Sequence, residues 1–364
     1  MQATSPFHVQ ISPDWQAMQA CLLRQGTPAR VHFIELFLDQ EVQQALVDRY
    51  ALLPGVTPDD PVFYAKRHLA VQQFLGYDYV RFTLDDFTVK MHSAAAVDTA
   101  DANRKAARYF VDEQRGPITT WEEFETYPWP DPAAASARSL EWLEEHLPEE
   151  MCIIASGGFA HFFEWLSFFM GYETLCYALY DQRDLVAAIA ERILEINRVM
   201  IRRLLQFDRV RFLWGSDDLG FRSGTLISPE DLHTFVLPGH QEMAQIAHAA
   251  GRPYLFHSCG NLTTIMDALI DEVQIDARHS FEDTIEDVTE VKQTYGQRIA
   301  LLGGIDVDFL CRADEAAIRR RVRHTLDACL PGGGYLLGTG NSVANYIPLE
   351  NYLIMLDEGR RYSG

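Results

Sequence analysis

The sequence predicts an α/β protein built as a single (β/α)8 TIM barrel. Three observations carry this expectation: eight short β-rich apolar runs recur, each is separated from the next by a longer stretch of helical periodicity, and no glycine-rich phosphate turn follows the first run. Such alternation marks βα units on a parallel sheet. Eight strands close a barrel, whereas an open doubly wound sheet usually stops near about six and starts with a glycine-rich turn.

In chain order the runs are VHFIELF from Val31, DYVRFTL from Asp78, MCIIASG from Met151, VRFLWG from Val210, PYLFHS from Pro253, VQIDA from Val273, IALLGG from Ile299 and GYLLGT from Gly334. After the fourth, Ser228-Pro229-Glu230-Asp231 reads as a helix start, with Ser as N-cap, Pro at the first helical position and acids in the first turn. CLPGGGYL, before the last run, reads as a helix-to-strand turn on the face opposite the site. Residues 86–131 lose the pattern and contain RGPITTWEEFETYPWPDP. Aromatics so dense need burial, so this segment is expected to be an insertion covering the barrel mouth rather than a linker. Residues 1–364 are then one domain, within the range reached by barrels with insertions.

With 48% hydrophobic and 12% aromatic residues the chain can bury a large core. Its 52 acidic against 31 basic residues give a formal charge of -21, and no Lys/Arg run offers a phosphate-tracking stripe. Nucleic acid and anionic membrane are therefore not expected partners. MQATSPFHVQISPDW has neither a basic start nor an apolar stretch, and no segment supplies the roughly 18 apolar residues of a membrane span, so a cytoplasmic location is expected. Cysteines 21, 152, 176, 259, 311 and 329 are scattered, which suits reduced thiols rather than a disulfide framework.

In a barrel the residues just after each strand build the site. Here they include Glu35, Asp85, Asp86, His161, Glu164, Asp217, Asp218, His257, Cys259, Arg278, His279, Asp306 and Asn341, a set rich in carboxylates, imidazole and thiol. FHSCGN is the sharpest motif: His257 and Cys259 stand two apart at a strand end and can point the same way, a pairing that suits zinc. The bland alternative is a packed Cys and a His bonded to a neighbouring carboxylate. In WGSDDLG either Asp217 or Asp218 can complete the metal site, orient His257, or simply cap a helix. Glu35 ends the apolar run VHFIE and needs a partner, for which an arginine is the simplest candidate.

Together ARVHFIE, GPITTWEEFETYPWPDP, FHSCGN, LLGGIDV and LGTGNSVANYIPLENYLIML make the chain resemble the uroporphyrinogen decarboxylase superfamily, which includes decarboxylases and zinc- and corrinoid-dependent methyltransferases. The resemblance implies a (β/α)8 barrel. In its methyltransferase branch an H-x-C element and a later Cys hold zinc; His257 and Cys259 match the first, but Gly340-Asn341 stands where Gly-Cys is usual. A carboxylate would then supply the third ligand, and Asp217 is assigned to the metal with His257 and Cys259. Glu35, Asp85 and Asp218 are the expected catalytic groups, and Asn341, His161, Trp121 and Tyr346 the expected substrate contacts. Trp121, Tyr127 and Trp129 of the insertion are expected to exclude water.

The resemblance implies a zinc-dependent methyl transfer between a small methylated compound and a thiol or a corrinoid carried by a partner protein, with a homodimer as the oligomeric expectation. The alternatives are a cofactor-free decarboxylase of a pyrrole or aromatic acid, using Asp85, and a non-catalytic barrel that binds a ligand or partner. True uroporphyrinogen decarboxylases carry a His at the position of Asn341 and arginines after the first strand, where this chain reads ELFLDQEV.

Overall fold

The structure, a computed structural model, describes residues 5–91, 93–97, 107–111 and 116–363. Its centre is a seven-stranded parallel sheet of β1 (Tyr79–Phe82), β2 (Cys152–Ser156), β3 (Val210–Ser216), β4 (Tyr254–His257), β5 (Ala277–His279), β6 (Ala300–Leu302) and β7 (Tyr335–Leu336), hydrogen-bonded in that order. Helices fill the connections, as the alternation predicts. The helix Pro229–Phe235 starts as expected, with the Ser228 hydroxyl accepting from the Asp231 N–H at 3.1 Å.

The first predicted strand forms no ladder on one of its sides. Ile34 N–H donates to the Leu337 carbonyl and Leu337 N–H to His32, and a single bridge pairs Phe33 with Leu337. Towards β1 the contact is made instead by a side chain: the Tyr79 hydroxyl accepts from Glu35 N–H at 2.8 Å and donates to the Glu35 carbonyl at 3.2 Å. The sixth predicted run lay too early. Leu269–Val273 is a π-helical turn ended by Gln274 at φ +64°, and the strand begins at Ala277.

Register decides what faces the site. Neighbours across a parallel sheet share a face, and faces alternate along each strand. Arg81 pairs with Ile154, Ser156 with Trp214, and Ser216 with His257, which pairs with His279. Arg81, Ser156, Trp214, His257 and His279 therefore lie on one face. The other packs on helices: Tyr254 and Phe256 meet His240 of the helix Leu237–Ala249. Trp214 on the first face and Tyr254 on the second are both fully buried, as is Phe159.

Within 86–131, residues 92, 98–106 and 112–115 lie outside the described residues, and that part of the expected cover with them. Of the remainder, Tyr127 and Trp129 pack edge-on against Phe169, with ring centroids 5.4 and 5.0 Å apart. All six cysteines are free, and among the described residues no helix is long and apolar enough to cross a membrane.

Candidate metal centre

The strand β4 ends on His257, and the chain continues through Ser258 to Cys259. His257 Nε2 lies 3.5 Å from Cys259 Sγ and 3.5 Å from Asp218 Oδ1, and the three candidate ligand atoms are all within 4.8 Å of one another. Backbone holds them in place. Cys259 N–H donates to Asp218 Oδ1 at 3.2 Å, and Asn261 N–H to the Phe221 carbonyl at 2.9 Å. The short hairpin Gly220–Phe221 with Gly224–Thr225 thus lies on the Cys259 loop. A Cβ on Gly260 would sit 2.2 Å from the Gly220 carbonyl carbon, so only glycine allows this approach.

Zinc–sulfur and zinc–nitrogen or –oxygen bonds at tetrahedral angles put neighbouring ligand atoms about 3.4–3.6 Å apart. Both measured separations from His257 fall in that interval. A thiolate, an imidazole and a carboxylate with a fourth position open are also a donor set of the catalytic kind.

His279 sets the orientation of His257: their Nδ1 atoms are 2.7 Å apart. Burial and the neighbouring His257 hold the His279 imidazole well below its ordinary pKa. Neutral His279 therefore accepts the Nδ1–H of His257, leaving His257 Nε2 towards Asp218 and Cys259. For His257 itself burial disfavours charge, but contacts with Asp218 and Cys259 prevail and push it up to about 10. Asp218, raised by burial, is pulled down to about 2 by its bond to His257. Metal binding at these atoms would displace any proton held between His257 and Asp218.

Only one of the two adjacent acids, Asp218, stands at the cluster. Asp217, assigned to the metal, is fully buried with both oxygens taken. Its Oδ2 accepts from Phe162 and Phe163 N–H at 3.0 and 2.8 Å, its Oδ1 from Glu164 N–H at 2.8 Å, and His240 Nε2 lies 2.9 Å from Oδ2. It caps the helix Phe162–Met170 from the neighbouring strand, satisfying three donors the helix cannot. Asp218 is the carboxylate at the cluster, because successive residues leave a strand end in opposite directions.

Asp85 is held away from the cluster. Its backbone bridges to Ser136 and its Oδ2 accepts from Ser139 N–H at 2.8 Å, so the carboxylate steadies the helix Arg138–His146. Among the described residues no arginine pairs with Glu35; Thr339 takes that place, donating N–H to Oε1 at 2.9 Å with its hydroxyl 2.5 Å from Oε2. The same hydroxyl lies 2.9 Å from the Asn341 carbonyl. One hydroxyl proton serves both contacts only if Glu35 is protonated and donates to Thr339. Burial supports this, pushing the Glu35 carboxyl up to about 8 against the opposing pull of the Thr339 bonds.

Asn341 Nδ2 donates to Cys259 Sγ at 3.2 Å, and Asn341 and Tyr346 line a cleft of about 920 Å³ that Phe281, Asp306 and Phe309 also border. Two other expected substrate contacts do not line it. His161 pairs with Glu164 at 2.7 Å and stacks on Trp165, while Trp121 is exposed with its ring against Phe124. Sequence reasoning passed over Arg81, Trp214 and Thr339. Arg81 had a visible signal, a cation inside the apolar run YVRFTL. Trp214 and Thr339 had none, since a buried Trp or Thr in a strand is ordinary.

The sequence model of the uroporphyrinogen decarboxylase (URO-D) family matches residues 113–362. A uroporphyrinogen decarboxylase of Cupriavidus pinatubonensis is 34% identical over 84 residues, 22% of this chain and 23% of that protein. A methylated-thiol–coenzyme M methyltransferase of Methanosarcina mazei is 32% identical over 130 residues, 35% of this chain and 32% of that one. These matches span a quarter to a third of the curated relatives. A Listeria monocytogenes protein assigned as a vitamin-B12 independent methionine synthase superposes over 97% of this chain and 98% of its own, at 15% identity and a TM-score of 0.47. By the family match, which covers more than half of its residues, the chain belongs to the uroporphyrinogen decarboxylase family.

Proposed function

We propose that the chain is a metal-dependent methyltransferase whose zinc ligands are Asp218, His257 and Cys259. The observation that carries this is that Cys259 Sγ and Asp218 Oδ1 each lie 3.5 Å from His257 Nε2, separations that suit ligands of a tetrahedral ion, with all three donor atoms within 4.8 Å of one another. Bound there, zinc would supply Lewis acidity towards a substrate heteroatom, or lower the pKa of a thiol. Neutral His279 keeps His257 Nε2 free for this position, Asn341 tempers the Cys259 sulfur by hydrogen bonding, and protonated Glu35 positions Asn341 through Thr339. The methyl donor is a methylated thiol, amine or ether, and the acceptor a thiol or a corrinoid on a partner protein. In this reading the segment at Val31 closes the sheet as the eighth strand of a (β/α)8 barrel, and residues 86–131 cover its mouth.

The test is elemental mass spectrometry on protein purified without a polyhistidine tag. Near-stoichiometric zinc is expected in the native chain, with loss in Asp218→Ala, His257→Ala and Cys259→Ser and retention in Asp217→Asn. Metal-free native protein that decarboxylates a pyrrole or aromatic acid would replace this reading. The His279→Leu variant is expected to keep the site but lose about 10–100-fold in zinc affinity, because its partner no longer fixes the His257 ring. Competition with a chelator measures it; unchanged affinity would show that His279 does not orient the ligand.

A further inference from the structure

Among the described residues, five polar atoms on the same face of the sheet as His257 are buried without a partner: Arg81 Nε, Thr83 Oγ1, Ser156 Oγ, Trp214 Nε1 and His279 Nε2. Thr83, one residue past β1, stands with Arg81 beside Gly157, and register puts Ser156 beside Trp214. Unmet donors gathered on one wall are uncommon in a folded chain, and each calls for an explanation. Arg81 is the most demanding. Among the described residues it has no ion-pair partner, in a chain of formal charge -21, and desolvation pushes its pKa down to about 10. Its guanidinium instead lies 5.8 Å from the Phe37 ring and 6.0 Å from the Trp214 ring. Aromatic faces attract a cation but leave its in-plane N–H donors free.

The geometry points to an anion subsite: Arg81, with Thr83, Ser156 and Trp214 Nε1, receives a single carboxylate or sulfonate on the substrate while the reacting heteroatom lies at Asp218, His257 and Cys259. This rests on the metal reading for the reacting end alone. The spacing is suitable, because the Trp214 ring stands between Arg81 and His279, 5.6 Å from the His279 ring, and His279 touches His257. Beside the guanidinium there is space for at least a methyl-sized group. Gly157, at φ +88°, would carry a Cβ that meets nothing nearer than Arg81 Nη2 at 3.9 Å and Thr83 Cγ2 at 4.0 Å. One positive charge selects a monoanion. His68 adds none, since burial, Arg81 and Arg67 depress its imidazole to about 3. Flanking rings at Phe37 and Trp214 favour a flat or apolar body behind the anion. An unpaired, desolvated arginine costs stability, which a binding role explains and a structural role does not.

The experiment is isothermal titration of the full chain with benzoate, benzenesulfonate and uncharged benzyl alcohol, in wild type, Arg81→Gln, Arg81→Lys and Cys259→Ser, with melting curves for each. At least one anion is expected to bind one-to-one and more tightly than benzyl alcohol, and which anion does so separates a carboxylate from a sulfonate substrate. Arg81→Gln is expected to weaken that anion by about ten-fold or more without changing benzyl alcohol, and Arg81→Lys to recover part of the loss. Arg81→Gln is also expected to melt at or above the wild-type temperature, which a structural arginine would not allow. No anion binding by wild type, or equal binding by Arg81→Gln, overturns the subsite. Cys259→Ser separates the two readings: lost zinc with retained Arg81-dependent binding keeps the subsite. Zinc-free wild type that still binds the anion sinks the metal reading alone, and zinc-bound wild type that ignores both anions sinks the subsite alone.

Discussion

Asp217→Asn is expected to lower the free energy of unfolding by about 3 kcal/mol or more, while leaving Asp218, His257 and Cys259 in place. The Asp217 carboxylate accepts from three backbone N–H groups and faces His240 in a fully buried position. The His240 side chain is oriented for this by Tyr254, whose hydroxyl lies 3.0 Å from Nδ1. Asparagine has one oxygen to offer, and its amide would present donors to a donor, the Glu164 N–H. Removing one partner of a buried charged network leaves the others unsatisfied, and such losses run to about 3–5 kcal/mol. Denaturant unfolding measures the change, with an unaltered slope indicating an unaltered fold. A loss below about 1 kcal/mol would mean that the helix Phe162–Met170 does not depend on this cap.

Glu35→Gln is expected to remove a pH dependence from stability. The folded carboxyl titrates at about 8, against an ordinary value of 4.5. Below 4.5 the folded and unfolded chains both hold the proton and the group is neutral in its effect. As pH rises from there the unfolded chain ionises first, so wild type loses about 1.4 kcal/mol per pH unit until the folded carboxyl also ionises near 8. The ceiling on that loss is about 5 kcal/mol. Glutamine mimics the protonated form: its amide donates to Thr339 Oγ1, which goes on to the Asn341 carbonyl, and its oxygen accepts Thr339 N–H. The variant is expected to melt with wild type near pH 4.5 and progressively above it towards pH 8. Parallel melting curves across that range would mean Glu35 is ionised in the folded chain, and the Thr339 hydroxyl would then have to give up its contact with Asn341.

Much of the fold was legible because local pattern and global architecture agree. Six of the eight runs became strands of one parallel sheet, its seventh strand begins on the last residue of VQIDA, and Ser228-Pro229 started its helix. The misses are places where a long-range contact overrides local preference. VQIDA is apolar and β-branched, yet its first residue closes a π-helical turn packed beside the helix Leu237–Ala249, and the strand waits for Ala277. VHFIELF is extended, yet Tyr79 puts a hydroxyl where a backbone ladder would run.

By itself the sequence determined the alternating architecture and the pairing of His257 with Cys259, because both depend only on strand periodicity and short separations along the chain. Tertiary structure alone decided the rest of the site. Asp217 and Asp218 are neighbours in sequence with opposite tasks, set by a one-residue change of direction at the end of β3. Asp85 belongs to a helix cap because Ser139, 54 residues away, needs an acceptor. Glu35 is pushed towards its protonated form because burial disfavours its charge, and its hydrogen-bond partner, Thr339, comes from 304 residues away. Arg81 lacks a carboxylate because register, not composition, chooses what faces it. Each of these depends on which desolvated group meets which partner, and that is known only once distant strands lie side by side.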